Sequence, residues 1–377
     1  MKLFKSLLVA PATIGLLAPI SATANEVTIN DFNPAEELAI TNSRVDGLEA
    51  RLNNFEAGSF SSTTSASFSV DFAIGAVDGK DVVKKTLANA LFVDSSNETV
   101  QTAYGYQIDL STSFTGEDAL SVSLDAGAGG SALSELDLNS GGDGLIVDGI
   151  TYSFPLGDKI TVLFGDSTDG SALYSTACVY GGFTNTLDDC GNYSSAFTTT
   201  GTSSVGFSAS YDIGNGFTGA IGYAGSGTAT TGLMGSGTDF YGGQLTYTGD
   251  SFGASVTYAD LDTATAWGLN GYYAFDSGLP SISVGYEFTE NEGTTADQTQ
   301  WFAGLQWDEL GPGTFGIAAG NKGPQKDGGT EEFAYEAFYA YSVNDSMTIT
   351  PAVFILENNG TGETDETGVV VKTSFSF

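Results

Sequence analysis

Carboxylates are the one chemically active group this chain carries in number, with 46 Asp plus Glu against 11 Lys plus Arg and no histidine in 377 residues. Without histidine there is no Ser-His-Asp or Cys-His pair, no His-ligated zinc and no imidazole proton transfer. A formal charge of −35 also argues against nucleic-acid binding, which needs clustered Lys and Arg over phosphates. Three acids, Asp169, Asp188 and Asp189, share the polar stretch 167–203 with Cys178 and Cys190. The cysteines lie 12 apart among Gly, Ser, Thr and Asn, which suits a disulfide closing a loop in an oxidising compartment; two free thiols are the alternative. A redox or metal role would want C-x-x-C spacing or His partners, so no cofactor and no metal centre is expected. GGDGLIVDG at 141–149 is faintly similar to a calcium-binding nonapeptide, but it occurs once and has Ile146 where an Asp belongs.

The elements that must position these residues are strands. From Ser65 onward apolar and polar residues alternate, beginning with Phe68, Val70, Phe72 and Ile74 and ending with Val369, Val371, Phe375 and Phe377. Sixteen such segments can be counted, each near the length of about 10 residues that a tilted membrane strand needs. Even-numbered segments are followed by tight turns such as TGED, PLGD, GNG and TGD. Odd-numbered ones are followed by longer polar connections, apart from a short link after the ninth. This asymmetry predicts an all-β, 16-stranded antiparallel transmembrane β-barrel over 65–377, not a soluble sandwich whose inward residues would be apolar. Strand parity then turns the aromatic and aliphatic set to lipid, with Asp71, Asp109, Asp125, Asp212, Glu287, Glu336 and Lys372 lining the pore. Pro351 falls inside the fifteenth segment and predicts a bulge or break there.

The N-terminal region reads differently. Lys2 and Lys5, an apolar run to Ile20 and Ala22-Thr23-Ala24 form an export signal over 1–24. No later stretch reaches about 18 continuous apolar residues, so no transmembrane helix is expected. Residues 25–60 form a periplasmic linker with a short coiled-coil-like helix, in which Leu38, Val45 and Leu52 repeat every seven and Leu48 and Phe55 make a second row. An oligomeric stalk and an ordinary amphipathic linker helix both fit this pattern.

Three stretches carry a family resemblance: NSRVDGLEARLNNFEAGSFS at 42–61, DGLIVDGITYSFPLGDKITVLFGD at 143–166, and the terminal KTSFSF. On these the chain resembles the cyanobacterial outer-membrane porins of the carbohydrate-selective and iron-uptake group. About ten residues precede the helix, so it looks like a short form without the surface-layer-homology domain of longer members. The resemblance implies a homotrimer in the cell outer membrane, in contact with lipid and lipopolysaccharide. Its terminal aromatic, Phe377, resembles the signal read by the barrel assembly machinery. In trimeric porins of this strand number the third loop folds into the lumen, which would make 167–203, with Asp169, Asp188 and Asp189, a constriction. The alternative is an outward loop that only shields the surface. No arginine follows Arg51, so an arginine row of the anion-pore kind is absent and acids should favour cations. The expected function is passive diffusion of small hydrophilic solutes, with sugars or iron species as possible nutrients and no enzymatic activity. A structural or adhesive barrel with a plugged lumen is the competing reading.

Overall fold

Alternating large apolar and small or polar residues give each segment one face for lipid and one for water, and only a closed sheet leaves no edge in the membrane. The computed structural model describes residues 64–79, 82–85, 91–94, 99–128, 131–136, 138–139, 142–175, 177–188, 190, 205–225, 233–234, 239–275, 278–359 and 364–377. The predicted signal and helix over 1–60 lie outside the described residues.

Sixteen long strands form one closed antiparallel barrel. In chain order they are β1 (Thr64–Asp78), β2 (Gln101–Thr112), β3 (Ala119–Gly127), β4 (Gly142–Leu156), β5 (Ile160–Asp166), β6 (Val205–Gly214), β7 (Phe217–Gly225) and β8 (Asp239–Thr248). The second half comprises β9 (Phe252–Asp260), β10 (Ala264–Tyr273), β11 (Ser281–Asn291), β12 (Gln298–Leu310), β13 (Gly313–Asn321), β14 (Phe333–Asn344), β15 (Met347–Leu356) and β16 (Glu366–Ser376). Each pairs with the next, and β16 closes on β1 with Ile74 opposite Val371. All sixteen segments read from the sequence correspond one to one with these strands. A short hairpin, Val82–Lys85 with Leu91–Asp94, lies in the first long connection, and Gln325–Lys326 adds two pairs to β12.

The alternation is visible as accessibility: Phe72 and Ile74 are 53% and 51% exposed on the outer wall, whereas Ala73 between them is 3% exposed. Aromatic neighbours at strand ends, such as Phe217 and Tyr247 at 4.9 Å and Tyr247 and Phe252 at 5.1 Å, form part of an interfacial belt at the turn end. The turn after β2 is organised by Asp118, whose Oδ1 accepts from Ser113 Oγ and from the Phe114 and Thr115 amides at 2.7 to 2.9 Å. Its Oδ2 accepts from Tyr152 Oη at 2.7 Å. Those bonds, the Thr115 backbone amide first, hold the Asp118 carboxyl below the usual carboxylate range.

Pro351 does not break its strand. β15 pairs with β16 through Pro351 opposite Val371, and its register with β14 is the same on both sides of the proline. Near the proline the ladder between the Phe338–Ala352 and Tyr341–Ile349 pairs is missing, because the absent N–H falls on the β14 side, and the register of β14 with β15 shifts only at the turn end, between Ser342 and Asn344. The outward side chain adds nothing to be accommodated, so one lost donor replaces the expected bulge. At the closing seam, Phe377 exchanges backbone hydrogen bonds with Phe68 at 2.8 and 3.1 Å and stacks on its ring.

Candidate functional site

The longest connection begins at Ser167, after β5, and turns into the barrel. Its backbone is held by inward-facing polar side chains presented by one strand after another. Ser208 on β6 accepts from the Leu173 amide at 3.2 Å, and Gln244 on β8 accepts from the Ser175 amide at 2.7 Å. Ser283 on β11 accepts from the Val179 and Tyr180 amides at 3.1 and 3.2 Å, and Gln306 on β12 from Gly181 at 3.0 Å. The loop then reaches β14, where the Glu336 carboxylate accepts four hydrogen bonds. These come from Tyr180 Oη at 2.7 Å, the Phe183 and Thr184 amides at 2.9 and 2.8 Å, and Thr184 Oγ1 at 2.6 Å. Finally the chain returns to β10, where Asn270 Nδ2 donates to the Cys190 carbonyl at 2.9 Å.

Cys178 and Cys190 form a disulfide that closes the segment containing every donor to Glu336. Burial, followed by the negative charge of Glu336, raises the Tyr180 hydroxyl well above its ordinary pKa, so it serves as a donor at any working pH. Apolar packing supplements these bonds. Tyr180, Phe183 and Leu187 join Leu133, Leu136 and Leu138 of the connection after β3 in one buried cluster with inward-facing Phe302, Phe338 and Phe354. Thr186 Oγ1 ties the two loops by donating to Glu135 Oε2 at 2.7 Å. Burying this many backbone amides inside a barrel is tolerable only because each named group finds an acceptor.

A closed barrel of sixteen strands, with its third long connection bound along the inner wall, can be compared with solved folds. A Rhodopseudomonas blastica porin carrying three substitutions superposes with a TM-score of 0.57 at 14% identity, over 83% of this chain and all of that one. A Pseudomonas putida OprB structure at high pH superposes with a TM-score of 0.62 at 9% identity, over 84% of this chain and 94% of that one. The fold is that of the bacterial porins. No family model matches the sequence. The uncharacterized protein alr4550 of Nostoc sp. (strain PCC 7120 / SAG 25.82 / UTEX 2576) is 25% identical over 440 aligned positions, spanning 95% of this chain and 74% of that protein.

Within this porin fold the predicted site residues fall into three groups. Asp71 and Asp109 face inward and are half-buried; Asp109 accepts from Gln107 Nε2 at 2.9 Å and Ser123 Oγ at 2.7 Å. Asp212 sits at the turn end, exposed, where it accepts from the Gly214 amide at 2.8 Å. Glu287 and Glu336 also point inward, but at 1% and 3% exposure they do not border open water, and Glu336 lies beneath the loop. Asp125 is buried as well, 9% exposed on β3. Lys372 is half-buried, its Nζ 5.4 Å from the centre of the Phe183 ring. On the loop, Asp169 and Asp188 are exposed, whereas Asp189 lies outside the described residues. Asp169 is wet yet enclosed by the barrel; this partial desolvation, then repulsion from Asp148, raises its carboxyl pKa.

Parity alone carries no sign of the residues that hold the loop: Ser208, Gln244, Thr246, Asn270, Ser283 and Gln306. A usable signal was present in the glycines. A Cβ at Gly285 would collide with the Cys190 carbonyl, and one at Gly222 with the Gly170 carbonyl, so glycine at an inward position marks where a second backbone lies against the wall.

Proposed function

We propose that this chain is an outer-membrane porin that lets small hydrophilic solutes diffuse passively, with a preference for cations. What supports the reading is the combination of an apolar outer wall, a closed sixteen-stranded sheet and a long connection bound inside it. A loop held in this way narrows the lumen and sets the size of what passes. The excess of acids, with Asp71 and Asp109 on the wall and Asp188 on the loop, attracts cations over about a Debye length, near 8 Å in physiological salt. Sugars and iron species are the candidate nutrients, and the working unit is a homotrimer.

Planar-bilayer recording tests this reading directly. Purified protein should give discrete open steps, and in a KCl gradient the reversal potential should have the sign of cation permeation; an anion-selective potential refutes the charge assignment. One observation favours a second reading: the apolar cluster that fills part of the lumen is what a plugged structural barrel would contain. Absence of open steps, together with liposomes that fail to swell in small sugars, would decide for that plugged barrel.

A further inference from the structure

The turn end of the barrel carries a cavity that solute diffusion does not require. β11 begins at Ser281, paired with Gln306, so Trp307 to Leu310 of β12 run on past it with only β13 alongside. This overhang and the turn after β10 enclose about 310 Å³, walled by Phe275, Leu279 and Trp307 and edged by Asp308 and Glu309. Each ring has an aromatic neighbour outside the lining: Tyr273 lies 4.7 Å from Phe275 between centroids, and Phe315 lies 5.6 Å from Trp307. Both carboxylates are exposed. Gln306, also in the lining, is shared with the loop: its Oε1 accepts from the Gly181 amide at 3.0 Å, and its Nε2 donates to Asp308 Oδ1 at 2.6 Å. Asp308 thereby fixes which way the amide faces, since only its oxygen end can take the Gly181 proton.

We infer that this cavity binds a guanidinium group and passes the event to the loop through Gln306. Its volume is at the small end of ligand sites and suits a group of arginine size. Two adjacent carboxylates repel anions, and two exposed rings offer π-faces to a cation. A planar guanidinium can stack on a ring while its forked donors meet a carboxylate, whereas an ammonium acts as a point charge. Free arginine and an arginine side chain on another protein share this chemistry. A guanidinium on Asp308 competes with Gln306 Nε2 for the carboxylate, which frees the amide to turn and weakens the Gly181 attachment. On the porin reading the site opens to the periplasm, so a cation bound on that side alters a loop held inside the barrel.

Tryptophan fluorescence tests the site without requiring conduction. The chain has three tryptophans, and Trp267→Phe with Trp301→Phe leaves Trp307 as the sole emitter. Full-length protein in detergent, at constant ionic strength, is titrated with L-arginine and with the blocked tripeptide N-acetyl-Gly-Arg-Gly-amide. The emission change should saturate with a midpoint on the order of 1 mM, and the matching lysine compounds should bind about tenfold more weakly. A tighter tripeptide assigns the site to a protein-borne arginine, and tighter free arginine to the amino acid. Asp308→Asn with Glu309→Gln should weaken binding at least about tenfold; Glu309→Gln alone, which leaves the Gln306 contact in place, should weaken it severalfold. Lysine binding as tightly as arginine, a change that never saturates, or a midpoint unmoved by both variants overturns the site. In planar bilayers the arginine tripeptide should raise open-level noise, and unchanged noise despite saturable binding overturns the link to the loop. A protein that fails to conduct removes the porin reading and leaves the titration to judge the site.

Discussion

Replacing Glu336 with alanine should release the loop from the wall without unfolding the barrel. The carboxylate is 3% exposed and accepts four hydrogen bonds from Tyr180, Phe183 and Thr184. A hydrogen bond to a charged group is worth about 1.5–3 kcal/mol, but four to one acceptor are far from additive. Alanine leaves four neutral buried donors without their acceptor, at about 1–3 kcal/mol for each that stays unsatisfied, so a loss of about 3 kcal/mol or more is expected. At about 1.4 kcal/mol per decade, the ratio of docked to undocked loop falls at least about a hundredfold. The neutral attachments at Ser208, Gln244, Ser283 and Gln306 and the disulfide remain, so the loop should fluctuate and not leave the lumen. Single-channel recording should then show a larger mean conductance with added open-level noise, and the loop should become sensitive to protease. Glu336→Gln keeps one acceptor oxygen and should fall between the two. An alanine variant with unchanged conductance, noise and protease resistance would show that Glu336 does not hold the loop. Equal effects from Gln and Ala would mean that charge alone, and not acceptor geometry, matters.

Three further outcomes are expected. Gly285→Ala places a methyl group against the Cys190 carbonyl; overpacking of this kind costs about 1–3 kcal/mol and should expose the loop to protease while the barrel's heat-modifiable migration on gels is retained. Reducing the disulfide, or replacing Cys178 and Cys190 with Ser, removes a closure worth on the order of 3 kcal/mol in a loop of this size, and it should raise open-channel noise without lowering the barrel's melting temperature. Asp118 has a folded-state pKa below its unfolded value of about 3.9, so its stabilisation is complete above that value and is lost as pH falls through the lower one. The melting temperature of Asp118→Asn should therefore lie below that of the unmodified protein at pH 7, and the gap should close in strong acid; a gap independent of pH contradicts this account.

The strands were legible because one physical demand, an outer face compatible with lipid, acts on every second residue of the chain. Phe72, Ile74 and Ala73 report it directly, and parity placed Glu336 and Glu287 on the inward side for the same reason. What those two acids do was not legible. Their burial depends on a loop 150 residues earlier in the chain for Glu336, and sequence spacing contains no trace of such a contact. The apolar half of the lumen was obscured too, since inward Phe302, Phe338 and Phe354 interrupt the polar series without revealing what packs on them. Pro351 misled because a proline was expected to bend a strand, while a wall paired on both sides can absorb the loss of one donor.

The order of the loop's attachments bears on how the molecule is built. Leu173 meets Ser208, Ser175 meets Gln244, Tyr180 meets Ser283, Gly181 meets Gln306 and Thr184 meets Glu336, so successive loop residues bind successively later strands. Along the chain the loop follows its Glu135 contact but precedes all of these wall anchors, which then come in the order in which the loop from Leu173 to Thr184 uses them, before Cys190 turns back to Asn270. The disulfide, local in the chain, can form first; the Glu336 contacts must wait until β14 is in place. A chain stalled before β14 would thus hold a loop with its last donors unmet, and that state differs from the finished barrel by a buried carboxylate and four hydrogen bonds.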